Sequence, residues 1–369
     1  MKISIYIANK KYKASAYYRI VQYIDDMDID CKTDVYEFFP NWYYEINDKV
    51  SLKFIKCLIK ISAFFLGYIL RSISILKNST TREEEIIFIQ GEIFLKRVPL
   101  GFRGLLRKYL KSRKRIIWDF DKNILISKEI SLYEFDILEK ASTLITVSHE
   151  GLASLINHSF CEKIKVIKTS DKILEYVNLY EVNKERLSYY NEEIRLLWIG
   201  KGYEIETLKG IIPILDNLAK RLKYKNLILK VISDEKLNIN TENLIVENIK
   251  PSKKSFFKEM LKSHIAIMPI PKYEDLTDTM YLNLIQYIGT GLPIVLSSNN
   301  RAVEFIKNNN GYLVENNKDF EKSILYLTEK SIWKNKSNLS RKLWEDEFNS
   351  NNIKETLEEH LSYNENFEN

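Results

Sequence analysis

Short apolar runs alternate with longer segments whose apolar residues recur every three or four positions, and the alternation holds along most of the chain. The runs at 3–8, 35–39, 86–90, 115–118, 143–147 and 165–167 read as buried strands, and so do those at 195–199, 227–232, 244–247, 265–268, 294–296 and 312–314. Segment 265–314 shows the pattern most fully. Its first apolar run stops at Pro269 and Pro271. Leu282, Ile285, Tyr287 and Ile288 then follow at helical spacing until Gly291 and Pro293. A second short strand, a helix over 301–308 and a third strand after Gly311 complete a βαβαβ unit. Strands alternating with helices predict an α/β fold with parallel sheets covered on their faces. The alternation breaks once, in the charged, tyrosine-rich stretch 171–193, and resumes at Arg195. The expected division is therefore a first domain over 1–178, a linker over 179–194, a second domain over 195–345 and a closing helical segment over 346–369.

Two segments depart from a simple sheet-covering pattern. Over 52–76 the cations Lys53, Lys56, Lys60 and Arg71 fall with Gly67 and Ser74 on one narrow helical stripe. The wider remaining face carries Phe54, Leu58, Ile61, Phe64, Phe65, Tyr68 and Ile69. Two readings fit it: a basic amphipathic helix lying in a membrane interface, or a surface helix packing its wide apolar face on its own domain. Segment 96–114 is strongly basic, and either faces acidic headgroups beside 52–76 or is a solvated helix face. A membrane surface is thus an expected partner through 52–76 and 96–114.

Composition narrows the classes. A chain of 369 residues with 45% hydrophobic content can build two cores. Its net charge of +6 permits an anionic ligand or membrane surface without requiring either. Three scattered cysteines and four histidines without ligand spacing argue against a metal site and for a reducing, cytoplasmic setting. No secretory-signal pattern stands at the start, since Met1-Lys2 leads directly into the first strand. Neither a G-x-G-x-x-G fingerprint nor a phosphate-loop lysine motif occurs, and no nucleic-acid recognition module is evident.

In open parallel sheets, ligands bind beyond the carboxyl ends of the strands. That places candidate chemistry at Ser15 and Arg19 near the first helix start, Glu92 after the third strand, and Asp119 and Asp121 after the fourth. His149 follows the fifth strand, and Gly200-Lys201 forms a turn after the first strand of the second half. Ser15 and Arg19 read either as an anion site or as a cap and a solvated charge. Asp119 and Asp121 read as metal or hydroxyl ligands or as turn residues, and His149 as a site group or a structural one. Segments 269–280 and 297–300 are the strongest candidates. There Thr277 and Thr279 offer hydroxyls at the start of a helix whose free N–H groups and dipole favour an anion.

The run His264-Ile265-Ala266-Ile267-Met268-Pro269-Ile270-Pro271, followed by Leu284-Ile285-Gln286-Tyr287-Ile288-Gly289-Thr290-Gly291-Leu292-Pro293-Ile294-Val295, resembles the GT-B glycosyltransferases, particularly their retaining, family-4-like group. Similar matches are Ser15-Ala16-Tyr17-Tyr18-Arg19, Trp118-Asp119-Phe120-Asp121 and Leu197-Trp198-Ile199-Gly200. The resemblance implies two Rossmann-like domains facing each other across a cleft, with C-terminal helices packing back toward the first. It implies a sugar nucleotide (a UDP- or GDP-sugar) on the second domain, near Gly200, Lys201, Thr277, Thr279, Met280 and Gln286. A glycan or lipid-linked acceptor would sit on the first, near Ser15, Arg19, Glu92, Asp119 and Asp121. Glu274, Asp278 and His149 would lie near the reacting sugar. No metal and no other cofactor is implied. The implied activity is sugar transfer with retention in cell-surface polysaccharide or glycolipid synthesis, on the inner face of the membrane. The family's glutamate pair falls on Asp278 and Gln286, and a common lysine on Asn283. These departures also fit a non-catalytic module that binds a sugar nucleotide or scaffolds a partner enzyme.

Overall fold

The computed structural model describes residues 2–29, 31–47, 49–80, 85–120, 130–150, 152–153, 163–271, 276–299 and 301–362. The chain divides into two units, Met1–Thr169 with Asn351–Asn369, and Ser170–Ser350.

The first unit contains β1 (Lys2–Ile7), α1 (Ala14–Arg19), β2 (Lys32–Glu37), α2 (Asn41–Asn47), α3 (Lys53–Ser79), β3 (Glu85–Gln90), α4 (Arg103–Lys111), β4 (Arg115–Phe120), α5 (Leu132–Ala141), β5 (Leu144–Val147) and β6 (Ile164–Val166). All paired strands are parallel, in the order β2-β1-β3-β4-β5-β6. Both β1 and β3 are buried along their whole length, which is why they read as apolar runs with Ser4 as the one polar residue inside them. The aromatic stretch after Pro40 forms helix α2.

Helix α3 resolves the two readings of 52–76 in an unusual way. Its buried residues are Ala63, Gly67, Arg71, Ser72, Ser74, Ile75 and Asn78, so the small and polar stripe packs inward. The close approach needs Gly67, where a Cβ would sit 2.6 Å from the Phe38 ring and carbonyl oxygen. Arg71 donates to the carbonyls of Ile7 at 2.9 Å and Tyr36 at 3.0 Å, and its guanidinium lies 4.9 Å from the Tyr6 ring centre. Burial lowers its pKa to about 10, so it stays charged. Asn78 donates to the Tyr6 hydroxyl at 3.1 Å and accepts from Lys2 at 2.8 Å. Most of the apolar face is left outward, with Phe54, Leu58, Ile61, Phe65, Ile69, Ile73 and Leu76 all exposed. Of its wide apolar face the helix packs Phe64 and Tyr68 on its own domain, against Phe38, Phe39 and Phe94, and leaves the rest outward. Among the described residues it is also the one helix long and apolar enough, by length and composition, to cross a membrane.

Of the basic segment 96–114, Lys96, Arg97, Arg103, Arg107, Lys108, Lys111 and Lys114 are exposed. Arg113 is not a headgroup cation, because it is buried in an ion pair with Glu85 at 3.0 Å.

The second unit runs α6 (Leu179–Ser188), β7 (Glu193–Ile199), α7 (Ile205–Lys209), α8 (Ile212–Arg221), β8 (Asn226–Ile232), β9 (Ile245–Ile249), α9 (Lys253–Lys262), β10 (Ile265–Met268), α10 (Asp278–Gly289), β11 (Ile294–Ser297), β12 (Tyr312–Val314), α11 (Asn317–Leu327) and α12 (Lys330–Glu347). Its parallel sheet has the order β12-β11-β10-β7-β8-β9. Helix α13 (Ser350–Leu361) belongs to the first unit from Asn351 onward, where Ile353, Leu357 and Leu361 pack with Ile3, Ile5 and Ile7.

The linker expected at 179–194 is instead α6 and the start of β7. Asn178 caps α6 by accepting from Glu181 N, and buried Arg186 donates to the carbonyls of Met260 at 2.7 Å and Leu261 at 3.0 Å. Helix α6 docks through polar side chains, so its anchoring leaves no apolar period to read. The unit boundaries correspondingly fall at 169/170 and 350/351 rather than near 178 and 345. Between β7 and β8 the chain forms two helices, α7 and α8, with Pro213 in the first turn of α8.

Candidate functional site

In the second unit β7 and β10 are neighbours although β8 and β9 separate them in sequence, so the strand order reverses there. This switch point is where a doubly wound sheet opens to a ligand beyond its carboxyl ends. β7 ends in the Gly200-Lys201-Gly202 turn. A Cβ on Gly200 would sit 2.3 Å from the Trp198 ring and 2.7 Å from the Glu204 carboxylate. Lys201 N donates to Glu204 Oε2 and Gly202 N to Asp234 Oδ1, both at 2.8 Å. Those amides are occupied by carboxylates, so the turn presents outward the exposed Lys201 side chain.

Helix α10 is fastened to the end of β7 by two side chains one turn apart. The Asn283 amide donates to the Ile199 carbonyl at 3.1 Å, and the Tyr287 hydroxyl accepts from Ile199 N at 3.0 Å. The position where the resemblance puts a lysine is therefore a backbone clamp. Thr277 is the N-cap of α10, its hydroxyl accepting from Met280 N at 3.2 Å. Thr279 is half-buried behind it and Met280 is buried. The segment leading into the helix is held by Arg301, which donates to the Leu276 carbonyl at 2.7 Å, and Ile270 N donates to the Ser297 hydroxyl at 2.9 Å. Glu274 and Asp121 lie outside the described residues, as does the side chain of Asp278.

Gln286 is half-buried and donates to Asp171 Oδ2 at 2.7 Å. Asp171 caps the turn that follows it by accepting from Ile173 N at 3.2 Å. Burial raises its pKa, opposed by the Gln286 and Ile173 bonds. The carboxylate missing at 286 is thus present one hydrogen bond away, on a residue 115 positions distant in sequence. His264 lies at the opposite end of β10. Its Nδ1 accepts from Arg195 N at 2.9 Å, and Nε2 lies 3.0 Å from the Arg186 carbonyl. Burial lowers its pKa to about 3, so the ring is neutral.

The first unit has its own reversal, between β1 and β3. A pocket of about 270 Å³ opens there, lined by Ser15, Gln90 and Glu92, by the cations Lys13, Lys60 and Lys96, and by aromatic rings including Tyr43. Ser15 is the second residue of α1, not its cap, which is Lys13. The backbone behind Glu92 is fixed by buried Glu134, whose Oε1 accepts from Ile93 N and from Phe94 N at 3.1 Å. Burial raises the Glu134 pKa to about 8 against those two bonds.

Arg19 and Asp119 do not line this pocket. They form a buried bidentate ion pair, with Nε 3.1 Å from Oδ2 and Nη2 bonded to Oδ1. Arg19 Nη1 also donates to the Ile167 carbonyl, and Thr146 donates to Asp119 Oδ1 at 2.6 Å. With its donors so engaged, Arg19 is neither a solvated charge nor an open anion site. His149 is buried, and its Nδ1 accepts from Leu152 N at 3.0 Å. Among the described residues no group of three or more His, Cys, Asp or Glu is placed to hold a metal ion.

No protein-family model matches the chain, and no curated protein sequence matches it. Solved structures do. The chain is 9% identical, at a TM-score of 0.58, to a structure described as trehalose-6-phosphate from E. coli bound with UDP-2-fluoro glucose, covering 98% of this chain and 100% of that one. It matches trehalose-6-phosphate synthase, in a study of glycosyltransfer with retention, at 10% identity and a TM-score of 0.57, covering 96% and 97%. The fold is GT-B. A third GT-B likeness is S. aureus TarM in complex with Fondaparinux, alpha-GlcNAc-glycerol and UDP, at 15% identity and a TM-score of 0.51. There the match covers 80% of this chain and spans only 59% of the TarM chain.

Sequence reasoning missed four parts of this arrangement: the Asn283 and Tyr287 clamp, Asp171 as partner of Gln286, the pocket role of Lys13, Lys60 and Lys96, and the internal pairing of Arg19. The four-residue spacing of Asn283 and Tyr287 puts both on one helix face and was a legible signal. The other three depend on residues brought together from distant positions.

Proposed function

We propose that this chain is a glycosyltransferase that moves a sugar from a nucleotide sugar to a glycan or lipid-linked acceptor at a membrane surface, with retention of anomeric configuration, in cell-surface polysaccharide or glycolipid synthesis. The observation that carries the proposal is the end of β7 clamped by Asn283 and Tyr287 to α10, which ties a glycine turn with an exposed lysine to the helix that Thr277 caps. The GT-B likenesses described with UDP or a UDP-sugar support it. The nucleotide diphosphate meets the α10 N-terminus and Lys201, whose positive charge stabilises the diphosphate as the glycosidic bond to it breaks. The acceptor hydroxyl attacks the anomeric carbon from the face the diphosphate leaves, and a leaving phosphate oxygen takes the hydroxyl proton. Glu274 and Asp278 orient sugar hydroxyls in this scheme. A UDP- or GDP-sugar is the donor, and no metal is required of the protein. The exposed apolar face of α3, with the exposed cations of 96–114 beside it in sequence, rests on the inner leaflet of the membrane and makes the chain peripheral and cytoplasmic.

The test is a melting-temperature screen against UDP, GDP and their sugars, followed by nucleoside diphosphate release with lipid or oligosaccharide acceptors. Donor-dependent release is expected. No shift with any nucleotide and no release with any donor would refute the proposal. A second reading, a sugar-nucleotide-binding module without turnover, is favoured by one observation: Asn283 and Gln286 are both spent on internal hydrogen bonds. Tight nucleotide binding with no release would select it.

A further inference from the structure

The pocket of the first unit has features that the nucleotide-sugar scheme does not use. It sits at the carboxyl ends of β1 and β3, where the strand order reverses, which is the ligand-binding position of such a sheet. Three lysines, Lys13, Lys60 and Lys96, line it against the single carboxylate Glu92. All three are exposed, and none makes an ion pair among the described residues. Lys96 adopts a left-handed backbone, φ 69°, which side-chain-bearing residues rarely take. Its Nζ lies 5.8 Å from the centre of the Phe64 ring, which also lines the pocket. Strain of this kind persists where the surroundings enforce it, and binding sites are a common place to find it. The third feature is Lys60 itself. It lies on α3 directly before exposed Ile61 and two residues after exposed Leu58, so the helix that lends a cation to the pocket carries an outward apolar face beside it.

We propose that this pocket binds the phosphate of an amphiphile, a phosphomonoester or diphosphate carried on a lipid, with Lys13, Lys60 and Lys96 as its cations and the lipid chain following the exposed face of α3. The volume of about 270 Å³ is at the small end of ligand pockets, enough for a phosphate and the group next to it rather than a long glycan. Glu92 and Gln90 on the pocket wall suit hydroxyls of that group, and Tyr43 offers it an apolar surface. This deepens the transferase reading, on which only the role of the amphiphile as acceptor rests. The binding of phosphate does not depend on it.

The experiment compares full-length wild type with Lys60→Gln/Lys96→Gln, and with Lys77→Gln at the far end of α3 as a control. Phosphatidylcholine vesicles carry equal mole fractions of phosphatidic acid or of phosphatidylglycerol, and glucose 6-phosphate is titrated separately in solution. Wild type and Lys77→Gln are expected to bind phosphatidic acid vesicles about tenfold or more tighter than phosphatidylglycerol vesicles, as charge-assisted hydrogen bonds to a terminal phosphate would give. The double variant should lose that preference while retaining most of its binding to phosphatidylglycerol vesicles. Equal wild-type binding to the two vesicles, or a preference that survives the double substitution, overturns the proposal. Glucose 6-phosphate binding as tightly as the phosphatidic acid vesicles overturns the lipid source. The melting shift with UDP is read in parallel. A lost shift with the preference intact counts against the transferase and for this site, and an intact shift with no preference does the reverse.

Discussion

Replacing Phe54 and Phe65 by Asp tests the orientation of α3 most directly. The two rings are 74% and 68% exposed, so they contribute little to the core of their own unit. Fully burying a phenylalanine is worth about 1.5–3 kcal/mol, and roughly seven-tenths of each ring is open to be buried, so insertion of the pair into an interface gains about 2–4 kcal/mol. At about 1.4 kcal/mol per tenfold, removing both rings lowers vesicle partitioning roughly 30- to 1,000-fold. The introduced carboxylates lower it further on anionic lipid. The neighbouring Phe64 is unsuitable, because it packs on Phe38, Phe39 and Tyr68 at ring distances of 6.0, 5.0 and 6.4 Å, and its loss would damage the fold. The assay is co-sedimentation with vesicles containing anionic lipid, run at low and high salt to separate the lysine contribution, alongside a thermal melt. The expected result is loss of pelleting with an unchanged melting temperature. A wild type that stays in the supernatant, or a double variant that pellets like wild type, removes the membrane from the picture.

Three further outcomes follow from the second unit. Tyr287→Phe leaves the buried Ile199 N–H without its acceptor, so stability should fall by about 1–3 kcal/mol with weaker nucleotide binding, read by denaturant titration and by the UDP melting shift. An unchanged midpoint would mean the hydroxyl clamp carries nothing. Gln286→Glu sets a second carboxylate against Asp171, which currently accepts from the amide at 2.7 Å, and like charges there resist ionisation. The variant should lose about 1–3 kcal/mol relative to wild type at pH 7.5 and regain most of it at pH 5, whereas an equal loss at both would break the pairing of these residues. His264 has a folded pKa of about 3, below its unfolded value near 6.5. Its contribution is complete above pH 6.5 and is lost as pH falls toward 3, because only the unfolded ring takes up a proton. Between pH 7.5 and 5 this one ring should remove ~2 kcal/mol, a slope that His264→Gln abolishes and that difference titrations against wild type would reveal.

What was legible in the sequence was whatever depends on local period and local punctuation. Strands buried on two faces are continuous apolar runs, so both sheets could be read, and the position of the candidate donor site followed from where those strands end; the helix expected over 301–308, by contrast, is only a short 3-10 turn, Ala302–Phe305. The stripe on α3 was equally legible, since Lys60, Gly67, Arg71 and Ser74 share a helix face by spacing alone. Which way that stripe points was not. Its direction is set by Phe38, Tyr36 and Ile7, whose ring and carbonyls accept a glycine and an arginine at close quarters, and no pattern within the helix encodes those partners. The same reason separates the rest. The α6 anchor, the Arg19–Asp119 pair and the Gln286–Asp171 bond are polar contacts between residues far apart in the chain. Hydrophobic periodicity records how deeply a residue is buried, while a hydrogen bond depends on which atom stands opposite. The sequence determined that this protein has two parallel sheets with ligand-facing edges. Only the tertiary structure decided which of its charges are spent inside the fold and which, like Lys13, Lys60 and Lys96, are left to meet something else.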